Sequence, residues 1–276
     1  GENIRPRGQD MARGCETLPV GRRLDPRDIA LAAASGAGTL TVRRRLGVRL
    51  FSTGAELAAL GTALAPGAIW DVNRAMLAAL IAGPAVDLAD GGCLPDAPAA
   101  VAAALIEAAC DVDLVVTSGG ASVGEEDHLA DAILRAGGEI LLRKVAMKPG
   151  KPLTLARLGP ALVLALPGNP VAAFVGWHVF GRRLVAALTG ADHQPRRMLA
   201  RLADGAIRRP GRCEFRPARV AGVGADGLPR LTLAPAEFSA RVAALAHADG
   251  LALIPAETDR LAPGDMVEFE PLGSWR

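Results

Sequence analysis

The sequence predicts an α/β fold: a three-layer domain built on a largely parallel sheet, with a small N-terminal segment before it and a C-terminal β-rich domain after it. Three observations carry that expectation. Short β-branched apolar runs alternate with helical patterns from Gly47 to about residue 194, as a parallel sheet covered by helices requires. Three of those runs empty into turns of small residues, at 52–57, 118–127 and 167–170. Beyond residue 195 the runs shorten and are separated by Gly, Pro and Asp, the pattern of a small β domain. The chain is therefore divided into 1–46, 47–194 and 195–276.

Within the N-terminal segment, Asp25 stands as an N-cap before Pro26, and Ser35-Gly36 closes the run, so one helix is expected between them. Residues 39–42 read as a short strand. A single helix cannot bury its apolar face (Ile29, Leu31) within 46 residues, so it should pack on the α/β domain or on another subunit. Residues 48–51 form a strand that ends in Ser52-Thr53-Gly54-Ala55-Glu56-Leu57. A helix over 73–81, a strand over 86–88 and an alanine-rich helix over 97–109 follow. Residues 112–117 are a buried strand, 118–124 a glycine-rich loop, and Glu125-Glu126-Asp127 opens a helix that continues to about Arg135. Residues 139–147 read as one strand, 153–156 and 162–166 as two more, and a long apolar helix runs on to about Leu188. In the last domain, strands are expected at 198–202, 213–220, 231–233, 251–254 and 266–269.

Composition narrows the function classes. The chain has 276 residues, 50% of them hydrophobic, enough for a sizeable core. Net charge is +2 and the arginines fall in small groups, with six Phe, three Trp and no Tyr to stack on bases, so nucleic-acid binding is not implied. Cys15, Cys93, Cys110 and Cys213 are scattered without a CxxC pair, which argues against zinc or a disulfide framework and suits a reducing cytoplasm. No signal peptide and no uninterrupted apolar run of membrane-spanning length are visible, so no membrane partner is expected. The first residue is Gly rather than Met.

The strand, glycine-rich loop and helix start around 112–127 present several backbone N–H groups, and the positive end of a helix dipole, to one point. Such a junction can hold a phosphate or another oxyanion; read alone, it is more often an ordinary βα turn. Glycine at 119, 120 and 124 lets the backbone approach a ligand closely. Ligands of such sheets bind beyond the carboxyl ends of the strands, so the three turns should converge. Lys148 and Lys151 sit among prolines in Lys148-Pro149-Gly150-Lys151-Pro152, where an ammonium can meet phosphate as a point charge. This is not a Walker loop, because Val145 occupies the place of its first glycine. The four histidines show neither metal-ligand spacing nor a nucleophile partner.

Several motifs together resemble one family, the molybdopterin molybdenumtransferases (MoeA and the gephyrin E domain). They are Ser-Thr-Gly-x-Glu-Leu at 52–57, Asp71-x-Asn73, Ser118-Gly-Gly-x-Ser-Val-Gly124 with Asp127, Val145-Ala-Met-Lys-Pro-Gly-Lys-Pro152 and Leu166-Pro-Gly-Asn-Pro170. Gly211-Arg212-x-Glu214-Phe215, Ala248-Asp-Gly250, Ile254-Pro255 and Pro263-Gly-Asp265 resemble its C-terminal β domain. The resemblance implies insertion of molybdate into the dithiolene of molybdopterin with hydrolysis of the adenylylated intermediate, Mg²⁺ as the metal, small-molecule substrates and an elongated homodimer. Departures are visible too. The acidic residue usual before Glu56 is Ala55, a serine usual after 166–170 is Ala172, and the serine-bearing motif of the β domain is reduced to Phe238-Ser239. Members also carry a further domain ahead of the segment Arg5-Pro6-Arg7-Gly8-Gln9-Asp10, and we expect it to be lacking here.

The resemblance implies catalytic carboxylates at Asp127, Glu56, Asp96 and Asp10, with Asp127 and Glu56 as Mg²⁺ ligands. It implies binding of the adenylylated molybdopterin and molybdate by Thr53, Gly54, Ser118, Gly119, Gly120, Ser122, Gly124, Lys148, Lys151, Pro152, Pro167, Gly168, Asn169, Pro170, Arg212 and Ser239. Plainer roles stand beside these: helix capping for Asp127 and Asp96, a solvated first-turn carboxylate for Glu56, and solvent exposure for Asp10. Two rival functions remain, the sister adenylyltransferase, which shares the glycine-rich loop without a β domain, and a non-catalytic molybdopterin-binding or scaffold module.

Overall fold

A computed structural model describes residues 1–119, 128–235 and 241–273. In chain order the elements are α1 (Pro26–Ala34), β1 (Leu46–Thr53), β2 (Leu57–Ala58), β3 (Ile69–Trp70), α2 (Val72–Ile81), β4 (Val86–Leu94), α3 (Pro98–Asp111) and β5 (Leu114–Ser118). Then come α4 (His128–Arg135), β6 (Glu139–Arg143), β7 (Met147–Lys148), β8 (Thr154–Leu158), β9 (Ala161–Leu166), α5 (Pro170–Gly176), a π-helical turn (Trp177–Gly181) and α6 (Arg182–Thr189). The last part holds β10 (Met198–Leu202), β11 (Ala206–Ile207), β12 (Cys213–Val223), β13 (Pro229–Leu233), α7 (Val242–Ala246), β14 (Gly250–Ile254), β15 (Arg260–Leu261) and β16 (Met266–Pro271).

The main sheet runs β4-β1-β5-β9-β8-β6. The first four strands are parallel, and β8 and β6 are added antiparallel at one edge. Alternate residues of one strand enter different cores. Val115 packs with Val101, Leu105, Leu129 and Ile133 from α3 and α4. Leu114 and Val116 pack with Leu77, Ile81, Ala173 and Trp177 from α2, α5 and the π turn. Both faces are therefore covered, which is why the strands read as continuous apolar runs and why the domain has three layers.

The second sheet follows the order β13-β10-β16-β14-β12-β7, and the extra pairing of β13 with β12 closes it into a barrel. Ala200, Leu202, Leu231, Ile254 and Phe269 fill its interior. A further cluster joins α5 of the α/β domain to the second sheet: Val171 and Val175 pack with Met147, Phe215, Leu245, Leu251 and Leu253.

Three expectations need correction. Residues 39–42 form no strand; they are exposed, and pairing begins only where Leu46 N–H donates to Ala85. The strand expected over 139–147 is two strands in different sheets. It breaks at Lys144, at φ 60°, where Lys144 and Val145 bond to Leu153 and Lys151, and Met147–Lys148 then pairs with β12. The strand begun at Val86 extends to Leu94, because β1 partners its polar half, Asp90 to Cys93, as well as its apolar start. The helical stretch Pro170–Thr189 is by length and composition able to cross a bilayer; Arg182 and Arg183 interrupt its apolar run, and half of it is buried in the protein.

The N-terminal helix is capped as expected, with the Asp25 side chain accepting from Arg27 N–H and Asp28 N–H while the Asp28 carboxylate accepts from Asp25 N–H. Its Ile29 is nevertheless 54% exposed.

Candidate active site

Strand register places the three expected turns side by side. Ser52 of β1 stands opposite Ser118 of β5, and Ser118 stands opposite Leu166 of β9, so the turns that follow all leave the same edge. Because β8 is antiparallel, its first residue Thr154 pairs with Ala165, which brings the lysine-bearing turn 148–152 to that edge as well.

Asn73, in the first turn of α2, ties these turns together. Its Nδ2 donates to Ser118 Oγ and to the Gly168 carbonyl, each at 2.7 Å. The start of α2 is itself pinned to β1. Buried Asp71 accepts from Ser52 Oγ at 2.5 Å and caps the helix through Arg74 N–H at 3.0 Å. Arg74 bridges Asp71 to Asp90; burial lowers its pKa, but Asp90 and then Asp71 outweigh that and leave it raised. Gly119 sits at φ 97°, and a Cβ there would lie 2.1 Å from the Thr53 carbonyl, so β1 and β5 approach at their ends in a way only glycine permits. Gly168 is exposed, and a Cβ there would meet only Gly119 Cα, at 3.5 Å.

Asp96 does not cap α3. The N-cap is Ala97, without a side-chain bond, and Asp96 Oδ2 instead accepts from Ala55 N–H at 2.9 Å. It thereby ties the turn after β1 to the one after β4. Glu56 is exposed and lies on no helix; its Oε2 would be 2.8 Å from a Cβ on Gly54, so the carboxylate lies back over that glycine. Asp10 is exposed in the N-terminal segment, and among the described residues no hydrogen bond or ion pair links it to this edge. Gly120, Ser122, Gly124, Asp127 and Ser239 lie outside the described residues.

Pro149 and Gly150 are buried, Lys151 is exposed, and Pro152, Asn169 and Pro170 are half-buried around the same edge, with Pro167 buried. Lys148 lies 3.5 Å from Glu214 of β12. Arg212 is exposed, and its carbonyl accepts from Arg208. Buried polar atoms of the turns, Thr53 Oγ1, Asn73 Oδ1 and Asn169 Oδ1, have no hydrogen-bond partner among the described residues. Among the described residues no group of three or more His, Cys, Asp or Glu side chains could hold a metal ion.

Three structural contributors, Asp71, Asn73 and Glu214, had been noticed only as letters within motifs. The signal for the first two was an Asp-x-Asn pair at a helix start, a capping pattern. A separate cavity of about 320 Å³ lies at the opposite end of the main sheet, lined by Arg43, Arg44, Arg45, Leu46, Asp113, Leu188 and Thr189. There Arg44 holds the Asp113 carboxyl below its ordinary range against the opposing effect of burial.

An α/β domain with ligand-type turns at its strand ends, joined to a closed β domain, defines a class that comparison makes specific. Residues 50–187 match the family described as a probable molybdopterin binding domain, and residues 199–272 match the MoeA C-terminal region (domain IV). The chain belongs to the molybdopterin molybdenumtransferase (MoeA) family. It is 39% identical over 189 residues to the molybdopterin molybdenumtransferase of Haemophilus influenzae, covering 68% of this chain and 46% of that one. It is 35% identical over 277 residues to molybdopterin molybdenumtransferase 2 of Mycobacterium tuberculosis, covering 97% and 67%. The structure of the molybdopterin biosynthesis MoeA protein from Pyrococcus horikosii superposes with a TM-score of 0.81 at 28% identity, over 97% of this chain and 65% of that one. The chain thus spans about half to two thirds of the length of these relatives.

Proposed function

We propose that this chain binds adenylylated molybdopterin at the strand-end edge and inserts molybdate into its dithiolene as the AMP is released by hydrolysis. The observation that supports this reading best is the Asn73 tie, which draws the turns after β5 and β9 together beside the end of β1. Gly168 leaves room for the backbone to approach a phosphate, as Gly120 and Gly124 do by sequence, Ser122 offers a hydroxyl between them, and Gly119 lets the ends of β1 and β5 close up beside it. Thr53, Gly54, Ser118 and the 167–170 turn shape the pocket, and Pro152 stiffens the turn that carries Lys148 and Lys151. Those two ammonium groups supply positive charge, joined by Arg212 from the C-terminal domain, and Ser239 of the same domain adds a hydroxyl donor. Asp96 keeps the Ala55 turn in place; Asp127, Glu56 and Asp10 are the carboxylates left for the reaction.

Mg²⁺ suits this donor set when substrate phosphates and water supply most of its oxygens, since it commonly takes only one or two carboxylates. Glu56 and Asp127 would hold it, and it would neutralise charge on the phosphoanhydride. The division into 1–46, 47–194 and 195–276, a homodimer, a cytoplasmic location and the lack of nucleic-acid and membrane partners belong to the same proposal.

The test is AMP release from adenylylated molybdopterin by the purified chain, with and without molybdate. Release that depends on molybdate is expected. Binding without molybdate-dependent release would leave a non-catalytic molybdopterin-binding module, and no binding would reject the site. Light scattering that shows a monomer would reject the dimer.

A further inference from the structure

Glu214 is fully buried in β12, yet three cations surround it. Arg208 Nε donates to its Oε2 at 2.9 Å, and Arg216 donates to Oε1 through Nε at 2.9 Å and Nη2 at 2.7 Å. Both arginines are buried, and Arg208 also donates to the carbonyls of Pro255, Thr258 and Arg212. The carboxylate is therefore satisfied on both oxygens before Lys148 is considered. The Lys148 ammonium stands at 3.5 Å from Oε1, beyond hydrogen-bond geometry for a strong pair, with its side chain 33% exposed.

Glu214 thus does not need Lys148, whereas Lys148 gains a fixed neighbour. A lysine on a flexible four-carbon stem loses much rotamer freedom when it is held in one place. The backbone shares in the anchoring: Cys213 N–H donates to the Ala146 carbonyl at 3.0 Å, and Glu214 stands opposite Lys148 in the parallel β7–β12 pairing. The lysine-bearing turn is covalently part of the α/β domain and is held by the β domain. Three cations thus stand about this one carboxylate, and the half-buried Lys148 among them stands on the strand-end edge of the main sheet.

We propose that Glu214 is a positioning residue, which reaches from the C-terminal barrel to fix the Lys148 ammonium so that it meets a phosphate of the bound substrate in one place. This inference rests on the proposed role of Lys148 as a phosphate partner. It makes the β domain a part of the binding site through a side chain that never touches the ligand.

The experiment measures trace acylation of Lys148 and Lys151 by acetic anhydride in the full 276-residue chain, quantified at each lysine by mass spectrometry, with and without adenylylated molybdopterin. Lys151 is the internal control, exposed on the same turn. In Glu214→Gln, acylation of Lys148 should quicken about fivefold relative to Lys151, as expected for release from an ion pair. The ligand should protect both lysines in the parent and protect Lys148 markedly less in the variant. Equal acceleration at both lysines, or none at Lys148, would mean that Glu214 serves only the fold and would overturn the proposal. If Lys148 accelerates in the variant but the ligand protects neither lysine in the parent, the ion pair stands while the reading of the site fails, and the positioning role falls with it. Should Glu214→Gln fail to fold, Glu214→Asp keeps a charge for the arginines but withdraws it by one methylene, and the same ratio of Lys148 to Lys151 decides.

Discussion

Two glycines in adjacent turns are under different physical constraints. At Gly119 both the dihedral, φ 97°, and the space, 2.1 Å from a hypothetical Cβ to the Thr53 carbonyl, forbid a side chain. Gly119→Ala should therefore cost at least about 2 kcal/mol, since the clash is with backbone and cannot be relieved by a rotamer change. Gly168→Ala meets only one atom at 3.5 Å and should stay within about 0.5 kcal/mol of the parent. Urea midpoints check both, and equal losses would contradict the geometry. Asn73→Ala removes two 2.7 Å bonds and leaves the buried Ser118 hydroxyl without that donor, an expected loss of about 1–3 kcal/mol in the same titration. An unchanged midpoint would show that Ser118 and Gly168 find other donors.

At the scale of elements, turns hold one another by side chain to backbone bonds. The turn after β1 is held to the turn after β4 by Asp96 accepting from Ala55 N–H at 2.9 Å, on an exposed part of the surface. Asp96→Ala should leave the sheet intact while hydrogen exchange of the Ala55 amide quickens about tenfold, the behaviour of a local opening. Exchange at the parent rate would show that the bond does not restrain the turn. The helical stretch from α5 to α6 shows a different device. Its π turn, Trp177–Gly181, carries Trp177 into the main core and His178 towards the barrel. One helix thereby faces two cores.

For the whole molecule, that histidine marks a polar seam between the two sheets. His178 Nε2 lies 2.8 Å from Glu270 Oε1 of β16, with Arg197 and Arg182 at 3.5 and 3.7 Å from the same carboxylate. Burial pushes the Glu270 carboxyl up, but the His178 hydrogen bond and the charges of His178, Arg197 and Arg182 outweigh it and hold it below its ordinary 4.5. A carboxyl depressed by folding contributes stability that is complete above its unfolded value and is lost as the pH falls through its folded one. Glu270→Gln should therefore lower the melting temperature at neutral pH, and the gap to the parent should narrow as the pH falls below about 4.5. A gap independent of pH would separate the seam from acid stability. The apolar cluster of Met147, Val171, Val175, Phe215 and Leu253 lies across the same junction, so the barrel rests on α5 through apolar packing as well as charge.

The alternation of apolar runs and helical patterns was enough to determine the three-layer sheet, because its central strands had to be apolar on both faces. Local chemistry sufficed for the Asp25 cap, and the order of short motifs sufficed for the family. What pattern could not supply was pairing. Residues 39–42 have strand-like letters but no strand partner among the described residues, whereas the polar half of β4 is a strand because β1 lies beside it. The run from Glu139 to Met147 looks continuous until Lys144 turns the chain and the barrel claims Met147 and Lys148. In the site, the glycine turns and the two lysines were legible as types suited to phosphate. The Asn73 tie, the use of Asp96 as a turn anchor and the Glu214 contact with Lys148 were not, since they join residues 95, 41 and 66 positions apart. Periodicity and capping act within a few residues along the chain, while hydrogen bonds and ion pairs between turns exist only once the sheet has set the strand order and register.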